Sequence, residues 1–274
     1  MHISQSSPPS SAFRTVLHIG AGRGARLEEF RAAGATRIIL IEPNESLAAT
    51  LVRNCHGLED VEILTAGFTG ETGKAELQVM NLPSLSSLHS PAPALKELFP
   101  GLQLLERQEI SLLSPSELMQ KIALAEHPVQ LVFDAPGSEF SALKALEAEG
   151  GLAVVDLLEL RCGEDVCYEE AVNRAHLENW LVDRGFQVET RDLSDPDWPV
   201  LHLRADPARR ELVRLARALG WEAASGTAED IADFIQNTAL QARAAALAEA
   251  EAARDHALEH AARLEQDLAD SRET

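Results

Sequence analysis

Apolar residues between Thr15 and Asp206 fall into short unbroken runs separated by stretches in which they recur every three or four positions. A short continuous apolar run bounded by turn residues describes a strand buried on both faces, and the longer spacing describes a helix lying over it. Their alternation predicts a parallel sheet covered on both sides. The expected strands are Val16–Ile19, Arg37–Ile41, Val61–Leu64, Val129–Phe133 and Val154–Leu160. The expected helices begin with Ala25–Ala33, which turns Leu27 and Phe30 inward and ends at Gly34. A second opens at Pro43-Asn44 and carries Leu47, Leu51 and Val52; a third opens at Ser114-Pro115-Ser116-Glu117. Ser138–Leu146, with Phe140, Leu143 and Leu146 inward, and Glu169–Arg184, with Val172, Leu177, Trp180 and Leu181, complete the set.

Three stretches break the rhythm. Thr69-Gly70-Glu71-Thr72-Gly73 reads as a turn, and alternation over Ala75–Val79 predicts a peripheral strand. Asn81–Gly101 is rich in Ser and Pro, with a short helix near Leu95–Phe99, and has the character of a lid or substrate loop; a short strand near Ile110 follows it. Phe186–Leu193 and Val200–Leu203 are strands joined only by Ser194–Pro199, too short for a crossover helix, so they must run antiparallel. A parallel sheet finished by such a hairpin is the layout of the seven-stranded class I methyltransferase fold, an α/β Rossmann-like architecture.

Beyond Asp206-Pro207 the composition shifts to Ala, Arg and Glu. Ala208–Leu219 predicts one amphipathic helix, Gly220–Gly226 an interruption and Ala228–Asp270 a long helix. Leu240, Leu247, Ala261 and Leu268 share a seven-residue period that Arg254 interrupts, so a solvated helix and a weak coiled coil joining copies or a partner protein are both open readings. The expected organisation is a disordered leader over 1–12, the sheet domain over 13–205 and a helical tail over 206–274.

At 274 residues, with 45% hydrophobic content, the chain can bury a sizeable core. A formal net charge of -20 argues against nucleic acid and anionic lipid as partners and leaves small-molecule or glycan substrates open. Cys55, Cys162 and Cys167 form no CxxC pair, and no apolar run approaches the ~18 residues of a membrane span, so a reducing cytoplasm is the expected location.

The chemistry concentrates after the first strand. Gly20-Ala21-Gly22-Arg23-Gly24 lets the backbone turn sharply and lie against a ligand; it satisfies the methyltransferase glycine pattern, and Gly20-x-Gly22-x-x-Ala25 also satisfies the dinucleotide one. Glu42, at the end of the second strand, suits the two ribose hydroxyls of either cofactor, or the start of the helix that follows. Asp134, at the end of Val129–Phe133, is the candidate base or substrate orienter, its alternative being a helix cap. Glu159 and Glu139 lie nearby in topology. Ser86, Ser87 and His89 in the Ser/Pro-rich excursion are candidate substrate contacts. Asp134 and Glu159 lack a third ligand at metal spacing, so no metal is expected.

In this series the chain resembles the FkbM-type methyltransferases over roughly 15–204. The resemblance rests on His18-Ile19-Gly20-Ala21-Gly22-Arg23-Gly24, Ile41-Glu42-Pro43, Ala66-Gly67 before Gly73-Lys74-Ala75-Glu76-Leu77, Ser86-Ser87-Leu88, Leu131-Val132-Phe133-Asp134-Ala135-Pro136-Gly137-Ser138-Glu139, and Glu159. It implies an S-adenosylmethionine-dependent O-methyltransferase acting on a sugar, glycan or small-metabolite hydroxyl. His18, Gly20, Gly22, Gly24, Glu42, Ala66 and Asp134 would line the cofactor. His18 stands where the family has an acidic residue, and Pro136 where it has the middle carboxylate of Asp-x-Glu-Gly-x-Glu. These departures motivate the alternative of a catalytically degenerate scaffold acting through the tail; an NAD-dependent oxidoreductase is the minor alternative.

Overall fold

The structure, a computed structural model, describes residues 14–122, 125, 128–220, 231–249 and 253–254. The expected leader and the tail positions Ala261 and Leu268 lie outside the described residues. Contacts divide the chain into two units, Met1–Arg210 and Glu211–Thr274.

In the first unit, β1 (Thr15–Ile19), β2 (Arg37–Ile41), β3 (Val61–Leu64), β6 (Val129–Phe133), β7 (Leu157–Arg161), β8 (Phe186–Asp192) and β9 (Val200–Ala205) form one sheet in the order β3-β2-β1-β6-β7-β9-β8. All neighbours are parallel except β9, which is antiparallel to both β7 and β8. This is the class I methyltransferase sheet, reached because the Ser194–Pro199 connection leaves β9 no route but the hairpin.

Strand alternation sends side chains to two cores. Leu17, Ile19, Ile39, Ile41, Leu131 and Phe133 pack under α4 (Pro115–Ile122), α5 (Glu139–Ala148) and α6 (Arg174–Val182). Val16, Ile38, Leu40 and Val132 pack under α1 (Leu27–Ala32) and α2 (Glu45–Asn54) through Leu27, Phe30 and Leu51. Each of these large side chains contributes about 1.5–3 kcal/mol when fully buried. In register, Ile19 stands beside both Ile41 and Phe133, so the next residue of each strand emerges at one shared edge.

Several boundaries differ from the expectations. The short strand near Ile110 is the nine-residue β5 (Leu104–Leu112), paired antiparallel with β4 (Gly73–Met80) in a separate ribbon. Leu77, Val79, Ile110 and Leu112 give that ribbon its own small core. Val154–Leu160 is not a continuous strand: Gly150 turns left-handed at φ 77°, a 3-10 turn covers Gly151–Val154, and β7 begins at Leu157. The helix expected over Glu169–Arg184 begins only at Arg174, where Asn173 Oδ1 accepts the His176 amide at 3.0 Å. The preceding loop is occupied elsewhere: Ala92 and Glu169 donate to the Cys167 and Ser90 carbonyls, each at 2.9 Å, and Tyr168 donates to the Leu85 carbonyl at 2.9 Å. With α3 (Pro93–Leu98), that loop closes a satellite core of Leu85, Leu95, Cys167, Tyr168 and Trp198.

In the second unit, Leu212, Ala216, Ile231, Phe234 and Ile235 pack together. The helix over 231–249 leaves Leu240 and Leu247 exposed. Among the described residues, no helix is long and apolar enough to cross a membrane.

Candidate active site

Where β1, β2 and β6 end side by side, Gly20, Glu42 and Asp134 open a cleft of about 370 Å³, within the size range of small-molecule sites. Gly20 turns at φ 83°, and a Cβ there would overlap the Asp134 carbonyl oxygen, so the loop can leave the sheet only without a side chain. Gly22, at φ 58°, is different. A Cβ there would meet nothing within 4 Å, so its bare backbone faces space that a ligand can fill.

Glu42 is fastened from both sides. Its Oε2 accepts the Gly22 amide at 2.7 Å and its Oε1 the Asn44 amide at 2.8 Å. Asn44 also caps α2, its Oδ1 accepting the Leu47 amide at 3.1 Å. Burial pushes the Glu42 carboxyl above its usual range, and the two amides oppose that shift. Each oxygen keeps acceptor capacity beyond these bonds, which suits it to vicinal hydroxyls.

Asp134 lines the far wall. Burial raises its pKa, while Arg161 and Arg26 pull it back towards ionisation. Beneath Gly20, His18 lines the cleft at 4% exposure with both ring nitrogens unpartnered among the described residues. Burial, followed by the charge of Arg26, depresses its pKa to about 3, so the imidazole is neutral. Gly22, Ala66, Ser86 and Ser87 share the cleft. Ser86 Oγ accepts the Met80 amide at 3.0 Å, and Ser87 Oγ donates to the Pro136 carbonyl at 2.6 Å.

Glu159, Glu139 and His89 stand outside the lining. Glu159 grips Arg26 through two hydrogen bonds. Glu139 is fully buried at the start of α5, where burial raises its pKa to about 8 against its own amide and that of Gly137, so it is held neutral. His89 Nδ1 lies 3.8 Å from a Glu170 carboxylate oxygen, and burial depresses the pKa of the imidazole. Gly24 lies behind the loop, where a Cβ would press on Leu51. Arg26, Phe68, Leu77 and Leu88 line the cleft although sequence reasoning did not single them out. Leu77 and Leu88 come from segments read as peripheral strand and excursion, Phe68 falls between the Ala66-Gly67 pair and the turn that starts at Thr69, and Arg26 carried no motif signal. Among the described residues no cluster of His, Cys, Asp and Glu is arranged to hold a metal ion.

No protein-family model matches the chain, and no curated protein is similar enough to count as a relative. Several solved structures are similar. One is a Streptococcus pneumoniae protein assigned as a tRNA (m1A22) methyltransferase, at 16% identity over 83% of this chain and 92% of that one, with a TM-score of 0.41. The same protein in complex with S-adenosyl-L-methionine aligns at 17% identity over 84% and 92%, with a TM-score of 0.40. An rRNA methylase from Streptococcus thermophilus aligns at 12% identity over 71% and 88%, with a TM-score of 0.39. With RNA methylases among the similar structures, net acidity does not exclude nucleic acid as a partner, and the exclusion drawn from the charge of -20 does not stand.

Proposed function

We propose that the chain is an S-adenosylmethionine-dependent methyltransferase whose acceptor atom is a hydroxyl oxygen of a sugar or small metabolite. The observation that carries this reading is the convergence of Gly20, Gly22, Glu42 and Asp134 at one edge of a class I methyltransferase sheet. The residues present fit the cofactor. Gly22 offers backbone with free space before it, Glu42 offers a doubly anchored carboxylate for ribose hydroxyls, and His18 and Ala66 wall the cleft. When bound, the cofactor supplies an electrophilic methyl group on a sulfonium.

In this reading the chain's own work is alignment and proton removal. Asp134 accepts a hydrogen bond from the acceptor hydroxyl and takes its proton as the oxygen becomes a nucleophile. Arg26 and Arg161 favour the ionised form this requires. Glu159 acts at one remove by holding Arg26. Ser86, whose oxygen already accepts the Met80 amide, keeps its O–H free to orient an acceptor, while the Ser87 hydroxyl is committed to Pro136.

A second reading, a scaffold that binds without turnover, is favoured by Pro136 in the cleft wall where a carboxylate is expected from the family resemblance. Transfer of an isotopically labelled methyl group separates the two. The protein is incubated with labelled cofactor and a panel of glycans, hydroxylated metabolites and an RNA oligonucleotide, then analysed by mass spectrometry. Label on a sugar or metabolite hydroxyl, reduced ~100-fold or more in Asp134→Asn, supports the proposal. Label on the RNA alone, or on nitrogen, overturns the acceptor assignment, and binding with no transfer to any class supports the scaffold.

A further inference from the structure

The floor of the cleft beneath Gly20 has a definite polarity. A neutral imidazole carries one donor and one acceptor, and His18 satisfies neither among the described residues although it is buried. Buried polar atoms are almost always partnered, so both ring nitrogens are open to a ligand or an ordered water in the cleft. The ring is fixed edge-on against Phe30 at 5.5 Å between centroids, and the Arg26 guanidinium lies 5.0 Å from the same Phe30 ring.

Arg26 also lines the cleft, and its donors can be accounted for. Nε and Nη2 donate to Glu29 at 2.9 and 2.7 Å, Nη2 donates to Glu159 at 3.0 Å, and Nη1 also donates to Glu159. A guanidinium has five N–H groups, so one remains on Nη1. Of the charges nearby, that of Arg26 is the one that perturbs the imidazole. Glu42, anchored by the Gly22 and Asn44 amides, is placed for the ribose hydroxyls, and no carboxylate hydrogen-bonds to His18.

We propose that His18 and Arg26 form an anion subsite that holds the carboxylate of the cofactor's amino-acid tail and offers its ammonium no carboxylate partner. This polarity is the reverse of a floor built on an acidic side chain, and it rests on the reading of the cleft as an S-adenosylmethionine site. The Nη1 proton and the imidazole N–H are the donors; the other ring nitrogen accepts from water or ligand.

Calorimetric binding of three probes to the wild-type protein tests it: S-adenosylhomocysteine, its des-amino analogue, which keeps the carboxylate, and its decarboxylated analogue, which keeps the ammonium. Removing the carboxylate is expected to weaken binding about tenfold or more, as for loss of a charge-assisted hydrogen bond, and removing the ammonium less than about threefold. Arg26→Gln should narrow the difference, and His18→Asp should reverse the order. An ammonium loss that costs as much as the carboxylate loss in the wild type overturns the subsite but leaves the cofactor reading intact. Failure of all three probes to bind removes both. The wild-type comparison decides the matter even if Arg26→Gln does not fold.

Discussion

Gly20 and Gly22 occupy one loop for different reasons, and substitution should separate them. Gly20→Ala sets a methyl group against the Asp134 backbone and should cost about 3 kcal/mol or more of stability. Gly22→Ala meets only the left-handed backbone, costing about 1–2 kcal/mol, but it should fill ligand space and weaken cofactor binding more than it weakens the fold. Urea melts read beside cofactor titrations check both. Glu42→Gln points an amide NH₂ at a backbone N–H, whichever way it turns, and should lose about 1–3 kcal/mol together with ribose recognition.

Two buried titratable groups make opposite predictions for pH. His18 is neutral in the fold down to about pH 3 and charged in the unfolded chain below its ordinary 6.5. The unfolded state therefore binds more protons between these values, and stability falls as pH drops through that window, by about 1.4 kcal/mol per pH unit. Glu139 is protonated in the fold up to about pH 8 and ionised in the unfolded chain above 4.5, so it removes stability as pH rises from 4.5 to 8. Glu139→Gln should therefore be more stable than wild type at pH 8 and similar to it near pH 4, as thermal melts across pH will read. A Glu139→Gln protein no more stable than wild type at pH 8 would show that the carboxyl is not held neutral.

At the scale of elements, the wall of the cleft depends on a small core outside the sheet. Leu95 is fully buried with Tyr168 and Trp198, and that cluster holds the Pro83–Leu88 edge of the cleft in place. Leu95→Ala should cost about 2–5 kcal/mol and expose the segment around Pro83 to protease before the sheet unfolds. Tyr168→Phe, losing only the bond to the Leu85 carbonyl, should cost about 1–3 kcal/mol.

The sheet was legible in the sequence because Ile38–Ile41, buried on both faces, is apolar throughout, and Val129–Phe133 is apolar at every position but the buried Gln130. The elements around the cleft were not. β5 puts Leu104, Glu106 and Glu109 on the outside, and six of its nine residues are exposed. The Glu169–Arg184 stretch carries Leu177, Trp180 and Leu181 at helical spacing, yet Ala92 and Ser90 recruit Cys167 and Glu169 into backbone pairing that local spacing cannot foresee. Gly20, Glu42 and Asp134 were readable because strand ends follow from strand lengths. Arg26 was not, because its role comes from Glu159, 133 residues away in sequence.

For the molecule as a whole, net charge was the least informative property. The cleft's behaviour depends on a few groups: Glu42 tied by amides, Asp134 in the field of Arg161 and Arg26, and a neutral His18 that feels the charge of Arg26. A formal charge of -20 spread over the chain says little about what such a site admits. The proposed function requires that S-adenosylmethionine occupy that cleft. Calorimetric titration of the wild-type protein tests this most directly: saturable one-site binding in the micromolar range, at least about tenfold weaker in Glu42→Gln, is the predicted result. No detectable binding at millimolar ligand would contradict it.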